Sequence, residues 1–374
     1  MESIQILIQN NKKIKIFYFL LAFLFLPVLI QCSTKKVMDD DDARFADINE
    51  EYNKVVKVKS SELPNTPMSE SQNTNSVAAS KTSEVILSPT TQAVKSAPKP
   101  ILVTPAKKIK GKAMSDLVKM KPREPDYEDN EGFNGRRPII DPYHPGEKMV
   151  LSVNYFNMVA GDIIIETLPY KLVNEKKAYH YSIKVETTPK FSFFYAVKNV
   201  LETFVDFETL VPHTFTVDAR ESARIKESKT YFDWKSKQAN LWEKVVKKDG
   251  KEKKVKKVWD IEPYTQNVIS SAFYLRSFQL KPGKNFSFRI ADDGKNYTFK
   301  GEVLRVEDLD TEIGTLSTVV VRPTFTLEGQ FKPTGENLMW FTNDDQKLLV
   351  RFESKIKIGT LVAKIKTLER GLAH

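Results

Sequence analysis

From Glu147 onward, apolar and polar residues alternate with a period of two. Leu151, Val153 and Tyr155 share one face, with Ser152 and Asn154 on the other. Tyr179, Tyr181, Ile183 and Val185 alternate with His180, Ser182, Lys184 and Glu186, the pattern of a half-buried strand. The same reading predicts strands at residues 162–167, 214–219, 229–234, 240–246, 286–290, 297–304, 317–321, 324–328, 338–341, 348–354 and 359–368. Lys248-Asp249-Gly250-Lys251, Asp292-Asp293-Gly294-Lys295 and Asn343-Asp344-Asp345-Gln346 carry the chemistry of hairpin turns. Residues 263–278 break the alternation with Val268, Phe273 and Leu275 and few charges, which predicts the only substantial helix. The expected fold is mainly β, an antiparallel, strongly curved sheet or open β-barrel with one substantial helix. An apolar sheet face needs a cover, which the helix and the curl of the sheet together can supply. A half-barrel with a wide interior would also leave an apolar cavity able to hold a ligand.

Upstream, residues 33–141 show no sustained apolar period at 2 or 3.6. Ser, Thr, Asn, Pro, Lys and Asp dominate, with an acidic run at Asp39–Asp42 and a basic patch from Lys107 to Arg123. So little apolar surface does not offset the entropy of ordering, so residues 32–141 are expected to be a disordered polar tether. A flexible coil of ~100 residues spans roughly 50–60 Å, enough to lift a domain well off a membrane. Residues 142–374 then form one β domain, large enough to bury a core without staples.

The first residues read as an export signal. Lys12, Lys13 and Lys15 precede an uninterrupted apolar run from Ile16 to Ile30, and Gln31-Cys32-Ser33 closes the segment. Such a run fits a signal-peptide core over residues 1–31 and falls short of the ~20 residues that span a bilayer. An uncleaved membrane anchor is the alternative. The chain has one cysteine, Cys32. Leu29-Ile30-Gln31-Cys32 resembles the lipobox of bacterial lipoproteins, which implies acylation of Cys32. That motif prefers a small residue where Gln31 stands. Ser33 after the cysteine implies sorting to the outer membrane, with the domain in the periplasm. Acyl chains at ~0.8 kcal/mol per buried methylene would make the anchor permanent.

The net charge of +10 has a local origin. Residues 143–374 hold 37 Lys and Arg against 30 Asp and Glu, and residues 235–257 hold ten Lys against three acids. One hairpin therefore accounts for the whole excess of the domain. Its lysines either guard an exposed edge strand or face anionic lipid or polymer. Nucleic acid is not expected for an exported chain whose basic hairpin carries little aromatic stacking surface beyond Trp242.

Chemistry-bearing motifs are sparse. His144, His180, His213 and His374 lie at no metal-ligand spacing, and no phosphate loop, dinucleotide fingerprint or nucleophile elbow is present. No catalytic, cofactor or metal residue is expected, and no enzyme activity. Arg276 ends an otherwise apolar helix, where it would pair with a carboxylate, cross-link helix to sheet, or bind an anionic headgroup. Tyr179, Tyr181 and Trp340 join it as candidate ligand or structural contacts.

Five passages resemble the bacterial envelope family known as domain of unknown function 3108. They are Tyr143-His144-Pro145-Gly146-Glu147, Met158-Val159-Ala160-Gly161-Asp162, the helix segment from Gln266 to Arg276, Asp292-Asp293-Gly294-Lys295-Asn296-Tyr297, and Trp340-Phe341-Thr342-Asn343-Asp344-Asp345 with Gly359 following. The family helix usually carries Asp where this chain has Asn267. The resemblance implies an exported, mostly β domain with no assigned reaction. The expected function is a non-catalytic envelope lipoprotein whose β domain binds an apolar or amphiphilic ligand. The alternatives are a module contacting envelope proteins or cell-wall polymer, and an unrecognised hydrolase.

Overall fold

In the computed structural model, the described residues are 42–61, 133–134, 136–155, 158–327, 330–331, 337–356 and 359–372. The expected signal segment, Cys32, His374 and most of residues 33–132 lie outside them.

The sheet is built from two antiparallel meanders. The first contains β4 (Glu147–Tyr155), β5 (Met158–Val173), β6 (Lys176–Thr187), β7 (Val197–Asp206), β8 (Pro212–Glu221), β9 (Arg224–Asp233), β10 (Gln238–Lys247) and β11 (Glu252–Asp260). The second contains β12 (Asn285–Asp292), β13 (Lys295–Thr311), β14 (Gly314–Leu327), β15 (Gln330–Phe331), β16 (Asn337–Thr342), β17 (Leu349–Ile356) and β18 (Gly359–Arg370). They join where β18 returns to pair with β4, so β11 and β12 become the two edges of a 16-stranded sheet. β1 (Val58–Ser60) adds to β5, Phe133–Asn134 with Arg137–Pro138 (β2 and β3) form a separate small hairpin, and a single helical turn, α2 (Pro189–Ser192), follows β6. The fold is mainly β with one large antiparallel sheet that does not close, as the alternation predicts.

The edges nevertheless approach. Lys257 on β11 reaches Asp293 in the β12–β13 turn (2.6 Å), and Asn296 Nδ2 donates to the Asp260 carbonyl (2.9 Å). After β11 the chain crosses to the other edge, where Gln266 pairs in parallel with Ile290. Glycine is needed where strands crowd. A Cβ on Gly161 would lie 2.4 Å from the Glu186 carbonyl oxygen across β5 and β6.

The segment expected to be helical over 263–278 is shorter: α3 (Val268–Tyr274) runs into a 3-10 turn, Leu275–Ser277. Its start is fixed by Asn267, whose side chain accepts from Ile269 N and Ser270 N while Ser270 Oγ accepts from Asn267 N, a reciprocal capping box. Val268, Ile269, Phe273, Tyr274 and Leu275 are all buried, so the helix plugs the concave side of the sheet.

The expectation for the polar leader is corrected at residues 42–61. A 3-10 turn (Asp42–Phe45) leads into α1 (Ala46–Val55) and then β1. Phe45, Ile48, Tyr52 and Val56 recur at helical spacing and pack with Val173, Ala178, Ile225, Trp242 and Val246 as a second apolar cluster. This helix is longer than α3, so the 263–278 segment is not the only substantial helix. Its acids meet the lysine hairpin: Asp47 pairs with Lys254 (2.8 Å), and Glu51 with Lys256 (2.6 Å) and Trp242 Nε1 (2.7 Å). The hairpin does lie at a sheet edge, and part of its charge is matched within the chain.

Candidate functional site

α3 divides the interior of the curved sheet. On one side lies an aromatic and ionic block, on the other an apolar cavity.

The block centres on Glu147, which is 1% exposed, and Arg276, which is 2% exposed. Both η nitrogens of Arg276 donate to the carboxylate (2.9 and 2.8 Å), and its Nε donates to the Gln346 carbonyl (2.7 Å). Glu147 also accepts from Thr167 Oγ1 (2.9 Å), His144 N (2.9 Å) and Gln346 Nε2 (2.9 Å). Burial pulls the Arg276 pKa down, but the Glu147 charge and its hydrogen bonds more than offset this and leave it raised. With four guanidinium N–H bonds and both carboxylate oxygens taken up by protein groups, Arg276 ties helix to sheet. It draws together the Tyr143–Glu147 passage, the helix and the Asn343–Gln346 turn.

Tyr179 and Tyr181 sit beside this pair. Tyr181 stacks on Phe273 of α3 with ring centroids 3.8 Å apart, and Tyr179 stacks on Tyr181 at 5.7 Å. Tyr143 Oη donates to the Phe273 carbonyl (3.0 Å), Arg137 donates to Tyr179 Oη (2.8 Å), and Tyr179 Oη donates to Asp141. Trp340 lies elsewhere, on β16, with Nε1 donating to Glu307 (2.6 Å) and Arg351 over its ring (5.2 Å). The structure thus brings Arg276, Tyr179 and Tyr181 together and leaves Trp340 apart.

None of those four lines the cavity; their neighbours Leu275 and Met339 do. The cavity holds about 110 Å³, several times the ~15 Å³ that one water requires. Its walls come from both meanders and from α3: Leu151, Ile165, Val185, Phe215 and Val217, then Val268, Ile269 and Ala272, then Phe299, Phe325, Phe352 and Ala363. Ile163, Leu201, Phe325, Met339 and Leu349 are only partly buried, so the cavity opens past them.

One polar side chain in this wall has spare capacity. Asn199 on β7 is 2% exposed, and its Oδ1 has no partner among the described residues. Its Nδ2 faces Glu221 Oε1 (3.4 Å); Glu221 is fully buried and also accepts from Tyr195 Oη (3.0 Å) and Arg224 Nε (3.0 Å). A carboxylate acceptor requires the amide nitrogen on its side, which leaves Oδ1 as an acceptor for something else. Sequence reading missed Asn199. The available signal was an Asn inside a strand, at a position that alternation assigns to the apolar face with Val197 and Leu201.

Other titratable groups pair locally. His180 Nε2 meets Glu202 (3.1 Å) and His213 faces Asp206 (3.3 Å). Among the described residues no group of His, Cys, Asp and Glu is arranged to hold a metal, and no helix is long and apolar enough to cross a membrane. Asp292, in the β12–β13 turn, is buried near Lys226 and Glu243, and burial raises its pKa to about 7.

A family model described as "Protein of unknown function (DUF3108)" matches residues 151–366, more than half of the chain, and the chain belongs to that family. No curated protein matches it. Among solved structures it is similar to a β-barrel-like protein of domain of unknown function DUF1849 from Brucella abortus. That pair shares 9% identity with TM-score 0.40, over 61% of this chain and 98% of the other. A protein from Bacteroides fragilis, described as exported with a YmcC-like fold, shares 7% identity with TM-score 0.28, over 61% and 97% of the two chains. A protein from Parabacteroides distasonis, described as a lipoprotein, shares 10% identity with TM-score 0.28, over 61% and 97%.

Proposed function

We propose that this DUF3108 member is a non-catalytic lipoprotein of the outer membrane, anchored through Cys32, whose β domain takes the apolar part of an amphiphile into the cavity beside α3. The observation that carries this reading is a wall of aliphatic and aromatic side chains whose polar members are Ser271, bonded to the Val268 carbonyl within the helix, and Asn199, whose buried amide oxygen has no partner among the described residues. An apolar cavity of this kind is poorly hydrated and gains by admitting hydrocarbon. An unsatisfied buried acceptor costs about 1–3 kcal/mol, which a ligand donor would recover. The fitting ligand is therefore a hydrocarbon chain that carries a hydroxyl or N–H group. Arg276, Tyr179 and Tyr181 act on it indirectly, by fixing α3 as the cavity wall.

The test is titration of the purified chain with a fluorescent long-chain alcohol, beside the Ala272→Phe variant. Ala272 lines the cavity from the helix and is partly exposed, so a larger side chain there fills space without unseating the core. Saturable binding that Ala272→Phe abolishes is expected. Equal binding by both proteins would place the probe elsewhere and end this reading.

A further inference from the structure

Strand register defines a row near one end of the sheet. Asp162, Glu186, Lys198, Arg220, Ile225 and Val246 are successive partners from β5 to β10. Just beyond this row the strand connections bond to one another. Thr188 N donates to the Ala160 carbonyl, Ser222 N to Ala196 and Lys248 N to Ala223, each at 3.0 Å. The turns at this end therefore form one continuous surface. One side of it exposes Met158 (55%), Val159 (47%), Phe193 (54%) and Phe194 (70%). Exposed Lys190 and Lys198 flank these, and exposed Lys247, Lys248, Lys251 and Lys253 occupy the other side. Large apolar side chains clustered at loop tips and rimmed by lysines suit a membrane interface.

The N-terminal chain arrives at this same end. The Phe45 ring lies 5.6 Å from the Arg220 guanidinium, whereas Lys57, after α1, meets Asn174 at the far end of β5 (2.8 Å). α1 therefore runs away from this surface, and the first described residues, Asp42–Phe45, lie beside it. Only ten positions separate Cys32 from Asp42; even fully extended they reach roughly 35 Å.

We propose that this end of the sheet docks on the membrane that holds the Cys32 acyl chains. Met158, Val159, Phe193 and Phe194 enter the boundary between headgroups and acyl chains, and the lysines face anionic headgroups. Asn199, on the cavity wall, directly follows Lys198 of the row, so the cavity reaches toward the docked end and an amphiphile could pass between bilayer and interior. The inference rests on the proposed acylation of Cys32.

That dependence also supplies the test. Acylation consumes the one native thiol, so a cysteine introduced by Phe194→Cys takes a single nitroxide label. The acylated full-length chain is reconstituted in vesicles of phosphatidylethanolamine with a minority of phosphatidylglycerol. Membrane-soluble oxygen should relax the label more than a water-soluble nickel chelate does. Met158→Cys should give the same result, and Lys176→Cys, at the opposite end of β6, the reverse. One label per chain with position 194 open to the chelate would overturn docking alone. Dipolar broadening at position 194 would overturn it in favour of a second copy on this face. Two labels per chain would show a free Cys32 thiol and overturn the anchor together with the docking that rests on it.

Discussion

Arg276 and Glu147 are buried together and neither has a water-exposed fallback. Arg276→Met removes one charge and strands the other, which typically costs 3–5 kcal/mol. Urea unfolding should show a loss of about that size, with part of it recovered when Glu147→Gln is added. Asp292 makes an opposite kind of contribution. Its folded pKa of about 7 exceeds the ordinary carboxyl value of 3.8, because burial disfavours the charge. Between those values the folded state holds more protons than the unfolded one, so stability falls as pH rises from about 4 to 7 and then levels. Asp292→Asn should remove that slope. Melting at pH 8 should then show a gain on the order of 2–4 kcal/mol; a slope that persists would assign it to another group. Arg276 stood out in the sequence because it ends an apolar helix. Asp292 did not, because Asp292 and Asp293 look alike in a turn and only burial separates them.

At the scale of elements, α1 is held by its apolar stripe more than by its ion pairs. Lys254, Lys256, Asp47 and Glu51 all keep substantial exposure, and exposed pairs contribute ~0–1 kcal/mol each. Phe45 is fully buried. Phe45→Ala should therefore cost about 3–5 kcal/mol locally. Amide exchange in residues 46–55 should rise sharply, while half-molar salt changes it little. If salt alone released the helix, electrostatics would be the main clasp. Most strands and turns were legible because alternation recurs along the domain and Gly250 and Gly294 sit where turns need positive φ. β7, whose apolar face Asn199 interrupts, and the lysine-rich, exposed β11 were not among the expected strands. α1 was not, because Phe45, Ile48, Tyr52 and Val56 form a stripe of barely three turns among charges. Such a stripe is stable only against a surface the sequence does not display. The over-long expectation for α3 has a local cause: Gln266 is committed to β12 and Asn267 caps, so the helix cannot start earlier.

For the whole molecule, curvature follows from two meanders joined at β4 and β18, with α3 laid against β6, β7 and β12. The sheet brings its aliphatic face around the helix but leaves space on one side, and that space faces Asn199. The family passages supply the ionic block and several turns; of them only the helix segment, through Val268, Ile269, Ala272 and Leu275, reaches the cavity. With Cys32 acylated as proposed, only ten positions would separate the anchor from Asp42, and the domain would work close to a bilayer and not at the end of a long tether. Native mass spectrometry of the full-length chain purified from membranes tests the central claim most directly. The account predicts a bound amphiphile bearing a hydroxyl or N–H group, retained by wild type, weakened about 10-fold or more by Asn199→Leu through loss of one buried hydrogen bond, and absent from Ala272→Phe. A chain that leaves the membrane with no such ligand, and with all three proteins indistinguishable, would contradict it.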